Sequence, residues 1–132
     1  MRNLAPELFN EHGSISWVEL ATADVATAVK FYSDVFGWGH ETAPMGDSGE
    51  YNLFTLGAEQ VAGGYDKANV LPDEIPPHWL VYFAVDDIDA TVAKARELGA
   101  EASDVMDVEM AGRFSIINDP QGAVFGAIQG PS

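Results

Sequence analysis

The sequence predicts an α+β protein: two βαβββ modules forming a mixed eight-stranded curved sheet, a cup, with a helix packed outside each half. Three observations carry this. First, Trp17-Val-Glu-Leu-Ala-Thr-Ala-Asp24-Val-Ala-Thr-Ala-Val29 returns 63 residues later as Leu80-Val-Tyr-Phe-Ala-Val-Asp-Asp87-Ile-Asp-Ala-Thr-Val92 without a gap. Val18/Val81, Ala21/Ala84, Asp24/Asp87 and Val29/Val92 are identical, which marks two copies of one unit. Second, each copy runs from a β-rich segment into an aspartate placed to cap a helix. Third, three short β-rich runs follow each helix.

In chain order, Ser14 to Thr22 alternates, with Val18 and Leu20 on one face and Trp17, Glu19 and Ala21 on the other. Asp24 then stands at an N-cap. Val25, Ala28, Val29, Tyr32, Val35 and Phe36 recur at helical spacing, and Gly37 supplies the left-handed stop, so the spacing predicts a helix over 25–36. Trp38 to Thr42, Tyr51 to Leu56 and Val61 to Tyr65 read as strands, separated by the glycine-rich turns at 45–49 and 57–60. Module one therefore covers about 14–65. Residues 66–77 hold three prolines and no periodicity, and form a connector.

Module two covers about 78–129 of a single domain spanning 1–132. Trp79 to Val85 is its first strand, and Asp87 caps a helix with the apolar stripe Ile88, Val92, Ala95 and Leu98, ending at Gly99. Ala102 to Val108, Arg113 to Asn118 and Ala123 to Gln129 are the remaining strands, the last two joined by the turn Asp119-Pro-Gln-Gly122. A helix crossover after each first strand covers one sheet face and leaves the other free. Trp17, Glu19, Leu80, Tyr82 and Ala84 fall on the free faces, where a cup would take a ligand.

Composition limits the partners. With 21 acidic and 6 basic residues, the net charge of −15 leaves no basic patch for nucleic acid or an anionic membrane. Zero cysteines remove disulfides and a thiol nucleophile, and fit a reducing compartment. No apolar run has the length of a signal peptide core or a membrane span, so a cytoplasmic location is expected.

The paired βαβββ units, the strand followed by an Asp-capped helix, Phe31-Tyr32 ahead of Phe36-Gly37, and Asp119-Pro-Gln-Gly122 resemble the vicinal-oxygen-chelate superfamily over about residues 14–129. That superfamily includes glyoxalase I, extradiol dioxygenases, fosfomycin-resistance enzymes and bleomycin-binding proteins. Trp79-Leu-Val-Tyr, Gly112-Arg-Phe and Asp-Pro-Gln-Gly-Ala resemble its glyoxalase-like subgroup. The resemblance implies metal ligands at Trp17 and Leu80, at Gly126, and near Gly63 or Gly64. None of these residues has a donor side chain, so no metal and no cofactor are expected.

Five residues remain as site candidates. Glu19, beside Trp17, is the candidate general base or acid. Trp17 and Tyr82 offer aromatic area to a flat ligand, His40 a polar group on the second strand, and Arg113 a cation for a ligand carboxylate. Trp38 and Trp79 are expected to pack. The leading expectation is a protein that binds a compact aromatic or amphipathic metabolite without a metal. The alternatives are a metal-independent enzyme using Glu19, with Tyr82 or His40 as polar partner, and a metal-dependent lyase or dioxygenase of the same superfamily. Exposed sheet edges and aromatic surface lead us to expect a homodimer.

Overall fold

The computed structural model describes residues 11–44, 50–108 and 112–130. The chain divides into two compact units, a first of Val18–Leu80 and a second of Met1–Trp17 with Val81–Ser132. The elements run β1 (Ile15–Thr22), α1 (Val25–Phe36), β2 (Gly39–Pro44), β3 (Glu50–Leu56), β4 (Glu59–Asp66), β5 (His78–Ala84), α2 (Ile88–Glu97), β6 (Glu101–Ala102), β7 (Met106–Val108), β8 (Gly112–Asn118) and β9 (Val124–Gln129). The turn expected at 45–49 lies outside the described residues.

In the first unit the strand order is β2-β3-β4-β1, antiparallel except where β1 runs parallel to β4 with Glu19 opposite Gly63. The parallel pair is the geometric result of the α1 crossover. Asp24 caps α1 as expected, accepting from Thr27 N at 3.1 Å and from its hydroxyl at 2.8 Å. Gly37 ends the helix at φ 75°, a conformation that costs a residue with a Cβ. Leu20, Phe54 and Ala62 form the core, with Val18, Ala28, Val29, Tyr32 and Trp38 packed on it. Full burial of a Leu or Phe side chain contributes roughly 1.5–3 kcal/mol.

Tyr32 ties helix to sheet in this unit. Its ring lies 5.8 Å from Trp38, 5.9 Å from Phe54 and 5.4 Å from Trp79, and its hydroxyl accepts from Trp79 Nε1 at 3.0 Å. Trp38 and Trp79 are thus packing residues. The helical stripe was too generous at its end, because Val35 and Phe36 are 53% and 55% exposed. Phe36 still meets Trp38 at 5.0 Å and stacks on Tyr32 at 6.2 Å at the edge of the face that meets the sheet, and α1 contains no fully buried residue.

In the second unit the order is β5-β9-β8-β6, with β7 also pairing with β8, and β5 parallel to β9 with Tyr82 opposite Gly126. Asp87 caps α2 through Ala90 N at 3.1 Å, while Gln129 Oε1 accepts from Ile88 N at 2.8 Å and satisfies another helix-end donor. Ile88, Val92, Ile117 and Ala127 make the core. Leu98, expected in the stripe, is exposed. Just ahead of β1, Gly13 N donates to Ala84 O at 2.7 Å and Ala84 N to Ser14 O at 2.8 Å.

One expected strand is two. Between β6 and β7, Ser103 turns the ladder over to side chains. Its hydroxyl accepts from Ile116 N at 3.0 Å, and its carbonyl accepts from the buried Ser115 hydroxyl at 2.8 Å. Hydroxyls that compete for backbone partners interrupt regular pairing. Nine strands therefore stand among the described residues where eight were expected. A single 3-10 turn at Lys67–Asn69, opened by Asp66, occupies part of the expected connector.

Candidate functional site

Directly paired residues project to the same face of a sheet. In the first unit Leu20, Phe54 and Ala62 lie on the face that α1 covers, so Glu19, Gly63, Tyr51 and Tyr65 share the opposite one. Glu19 is half-buried there and accepts a hydrogen bond from the Tyr51 hydroxyl at 2.7 Å, a charge-assisted geometry. Gly63 makes this possible. A Cβ at residue 63 would collide with the Tyr51 hydroxyl and ring, so the phenol crosses the strand only because position 63 has no side chain.

Tyr65 completes the group, opposite Ala21 on one side and Tyr51 on the other. Burial first, and then the negative charge of Glu19, push its hydroxyl up to about 12, so it remains a protonated donor throughout the neutral range.

The second unit repeats the seat with different residues. At the same 63-residue offset, Tyr82 corresponds to Glu19, Gly126 to Gly63, and Phe114 to Tyr51. Tyr82 is 6% exposed and its ring covers Gly126, where a Cβ would lie 2.6 Å from Cε2 and 3.0 Å from Cγ. Phe114 meets that ring edge to face at 6.0 Å. One unit thus places a phenol on a carboxylate over its glycine, and the other places a phenol against an aromatic ring over its own. Trp17, on the portion of β1 in the second unit, is half-buried.

Two sequence candidates stand elsewhere. His40 is opposite Phe54 in the β2–β3 ladder and so belongs to the face that α1 covers, away from Glu19; it is exposed. Arg113 is opposite Gln129 and alternates with Phe114, which puts it on the α2 side of the second sheet, away from Tyr82. Its guanidinium donates to Asp89 at 2.8 Å and to Asp107 at 2.9 Å. The Asp89 hydrogen bond leads in raising its pKa, so Arg113 is a clamp between β7, β8 and α2.

Tyr51, Tyr65 and Phe114 were missed as site residues. The signal was present: extended past the first thirteen positions, the 63-residue offset aligns Tyr51 with Phe114 and Gly63 with Gly126. The four positions at which the resemblance implied metal ligands are Trp17, Leu80 and the two tyrosine-covered glycines or their neighbour Gly64. Among the described residues no group of three or more His, Asp or Glu side chains converges as a metal would require. Trp17, Leu80, Gly63, Gly64 and Gly126 themselves carry no side chain that ligates a metal.

Comparison with known proteins agrees with this architecture. Residues 14–126 match the family model described as the Glyoxalase/Bleomycin resistance protein/Dioxygenase superfamily. CFP32 of Mycobacterium tuberculosis, provisionally named a glyoxylase, is 41% identical over 119 residues, covering 89% of this chain and 46% of that protein. The anthracycline biosynthesis protein DnrV of Streptomyces peucetius is 32% identical over 128 residues, covering 86% of this chain and 46% of its own length. The chain spans about half the length of these curated relatives. Methylmalonyl-CoA epimerase of Mycobacterium tuberculosis superimposes with a TM-score of 0.65 at 21% identity, covering 98% of this chain and 94% of the epimerase, which supports the α+β fold of paired βαβββ modules. With most of its length matched by the family model and with relatives above 30% identity, the chain belongs to the glyoxalase/bleomycin resistance/dioxygenase superfamily.

Proposed function

We propose that this chain is a glyoxalase-like protein that binds a compact aromatic or amphipathic metabolite without a resident metal. The observation that carries the reading is the pair of glycine seats. Gly126, where the resemblance implied a carboxylate ligand, lies under the Tyr82 ring, and of the two first-unit alternatives Gly63 lies under Tyr51 while Gly64 meets Phe54. Aromatic and phenolic groups are what those faces offer, and such groups suit stacking and hydrogen bonding to a small organic molecule. The name of DnrV, tied to anthracycline biosynthesis, fits an aromatic ligand.

A second reading is favoured by one contact. The 2.7 Å hydrogen bond between Tyr51 and Glu19 orients a carboxylate beside phenols, an arrangement suited to proton transfer by Glu19 in a metal-independent reaction. Native mass spectrometry of the freshly purified protein tests both. An organic adduct without metal is the expected result, and a stoichiometric metal mass overturns the reading. Glu19→Gln then separates them: loss of turnover on the captured compound with retained binding identifies the enzyme, and unaltered handling of the compound identifies the binder.

We also propose that the protein pairs with a second copy of itself through the outer face of α1. Phe31 and Val35 are each more than half exposed there, and Phe36 is equally exposed at the edge where its ring meets Trp38. The repeat supplies an internal control, since the residue equivalent to Phe31 in α2 is Lys94. Light scattering should give a dimer mass that Phe31→Lys reduces to a monomer; a monomeric wild type, or a dimer indifferent to the substitution, refutes this.

A further inference from the structure

Glu19, Tyr51 and Tyr65 stand together on the open face of the first unit, and two of them are already joined. Tyr51 donates to Glu19. Tyr65, two residues beyond Gly63 on β4, projects from the same face and is half-buried; its backbone is paired with β1 and β3, and its hydroxyl stands near the Glu19 charge with no side-chain hydrogen bond seen among the described residues. A half-buried phenol whose hydroxyl is not taken up by a side-chain hydrogen bond presents a donor to whatever occupies the face. Deprotonation does not remove that donor, because burial and the Glu19 charge both oppose the phenolate.

Resting on the small-molecule reading above, we infer that Tyr65 is the specificity-determining donor of this face, hydrogen-bonding the acceptor oxygen of an uncharged carbonyl compound, while Glu19 rejects the corresponding anion. The two roles are complementary. A carbonyl oxygen accepts from Tyr65 and brings no charge near Glu19. A carboxylate, phosphate or phenolate would accept equally well from Tyr65 but meets the glutamate and the field of a chain with net charge −15. The face therefore selects ketones, aldehydes, esters and amides over acids of the same shape.

The test uses three probes of matched shape: 2-acetylnaphthalene, its anionic counterpart 2-naphthoate, and 2-ethylnaphthalene, which lacks the acceptor. Each is titrated against the ¹⁵N-labelled full chain, with affinities read from amide chemical shifts. The ketone should bind tightest. Tyr65→Phe should remove its advantage over the ethyl compound, about threefold to tenfold for one net hydrogen bond, while leaving the ethyl compound's affinity unchanged. Glu19→Gln should raise the affinity for naphthoate. Naphthoate binding as tightly as the ketone to the wild type, or a ketone preference that survives Tyr65→Phe, overturns the assignment and leaves the small-molecule reading standing. If none of the three probes shifts any amide, the small-molecule reading falls and the assignment falls with it.

Discussion

Gly126→Ala should destabilise the protein, and the same substitution should become stabilising once Tyr82 is removed. A Cβ at residue 126 lies 2.6 Å from Tyr82 Cε2 and 3.0 Å from Cγ, against an ordinary carbon–carbon contact of about 3.5–4.0 Å. The ring must retreat by roughly 1 Å to reach that distance. Cγ is one bond from the Tyr82 Cβ, so the retreat cannot be made by rotating the ring about its own axis. Tyr82 is also 6% exposed and packed on Phe114, which leaves little free volume.

Overpacking of this kind costs about 1–3 kcal/mol. Against it stands a gain of roughly 0.5–1 kcal/mol, because alanine restricts the unfolded chain more than glycine does. The net loss is therefore centred on about 1.2 kcal/mol, within limits of about 0 and 2.5 kcal/mol. With a urea m-value of about 2 kcal/mol/M, the midpoint should fall by roughly 0.6 M. In a Tyr82→Ala background only the gain remains, so Gly126→Ala should raise the midpoint. Equilibrium urea unfolding of the four proteins of the cycle, followed by circular dichroism, gives all the terms. A neutral or stabilising Gly126→Ala in the wild type, or an equal loss in both backgrounds, refutes the steric seat.

Two further outcomes follow from the same structure. Asp24→Ala should lower Tm by a few °C at pH 7 through loss of the α1 cap. Hydrogen bonds from the Thr27 backbone and then its side chain hold the Asp24 pKa below its ordinary value, so its stabilisation is present above the ordinary carboxylate range and disappears as pH falls through the lowered value. The Tm difference should accordingly close in acid; a difference that persists unchanged there contradicts the assignment. Arg113→Gln should leave the affinity for any captured ligand unaltered, measured by calorimetry, because the guanidinium is held by Asp89 and Asp107 on the helix side. A loss of more than about tenfold would return Arg113 to the binding face.

Much of the fold was legible because its signals are local and repeated. The aspartate caps, the alternation in β1 and β5, and Gly37 act within a few residues, and the 63-residue repeat doubles each one. The break at Ser103 was not legible, since it depends on Ser115 and Ile116, which come near only across the β6–β8 ladder. His40 and Arg113 were read as binding residues because strand alternation fixes two faces without saying which one the neighbouring strand will align with Glu19 or Tyr82; that is set by register. Glu19 itself was legible, but its phenol partners were not, because Tyr51 reaches it across a strand whose contribution is an absent side chain.

The covered glycines also constrain which amino-acid changes can follow one another. Replacing Gly126 by glutamate alone drives a side chain into the Tyr82 ring, while removing Tyr82 alone opens a hole of aromatic size, at a cost of about 3–5 kcal/mol. Either first step lands on a weakened protein, and only the pair together is sterically consistent. The arrangement behaves as a ratchet: a chain that has closed a tyrosine over such a glycine cannot acquire a carboxylate there by single tolerated steps. Placing a carboxylate at position 126 therefore requires the ring and the glycine to change together.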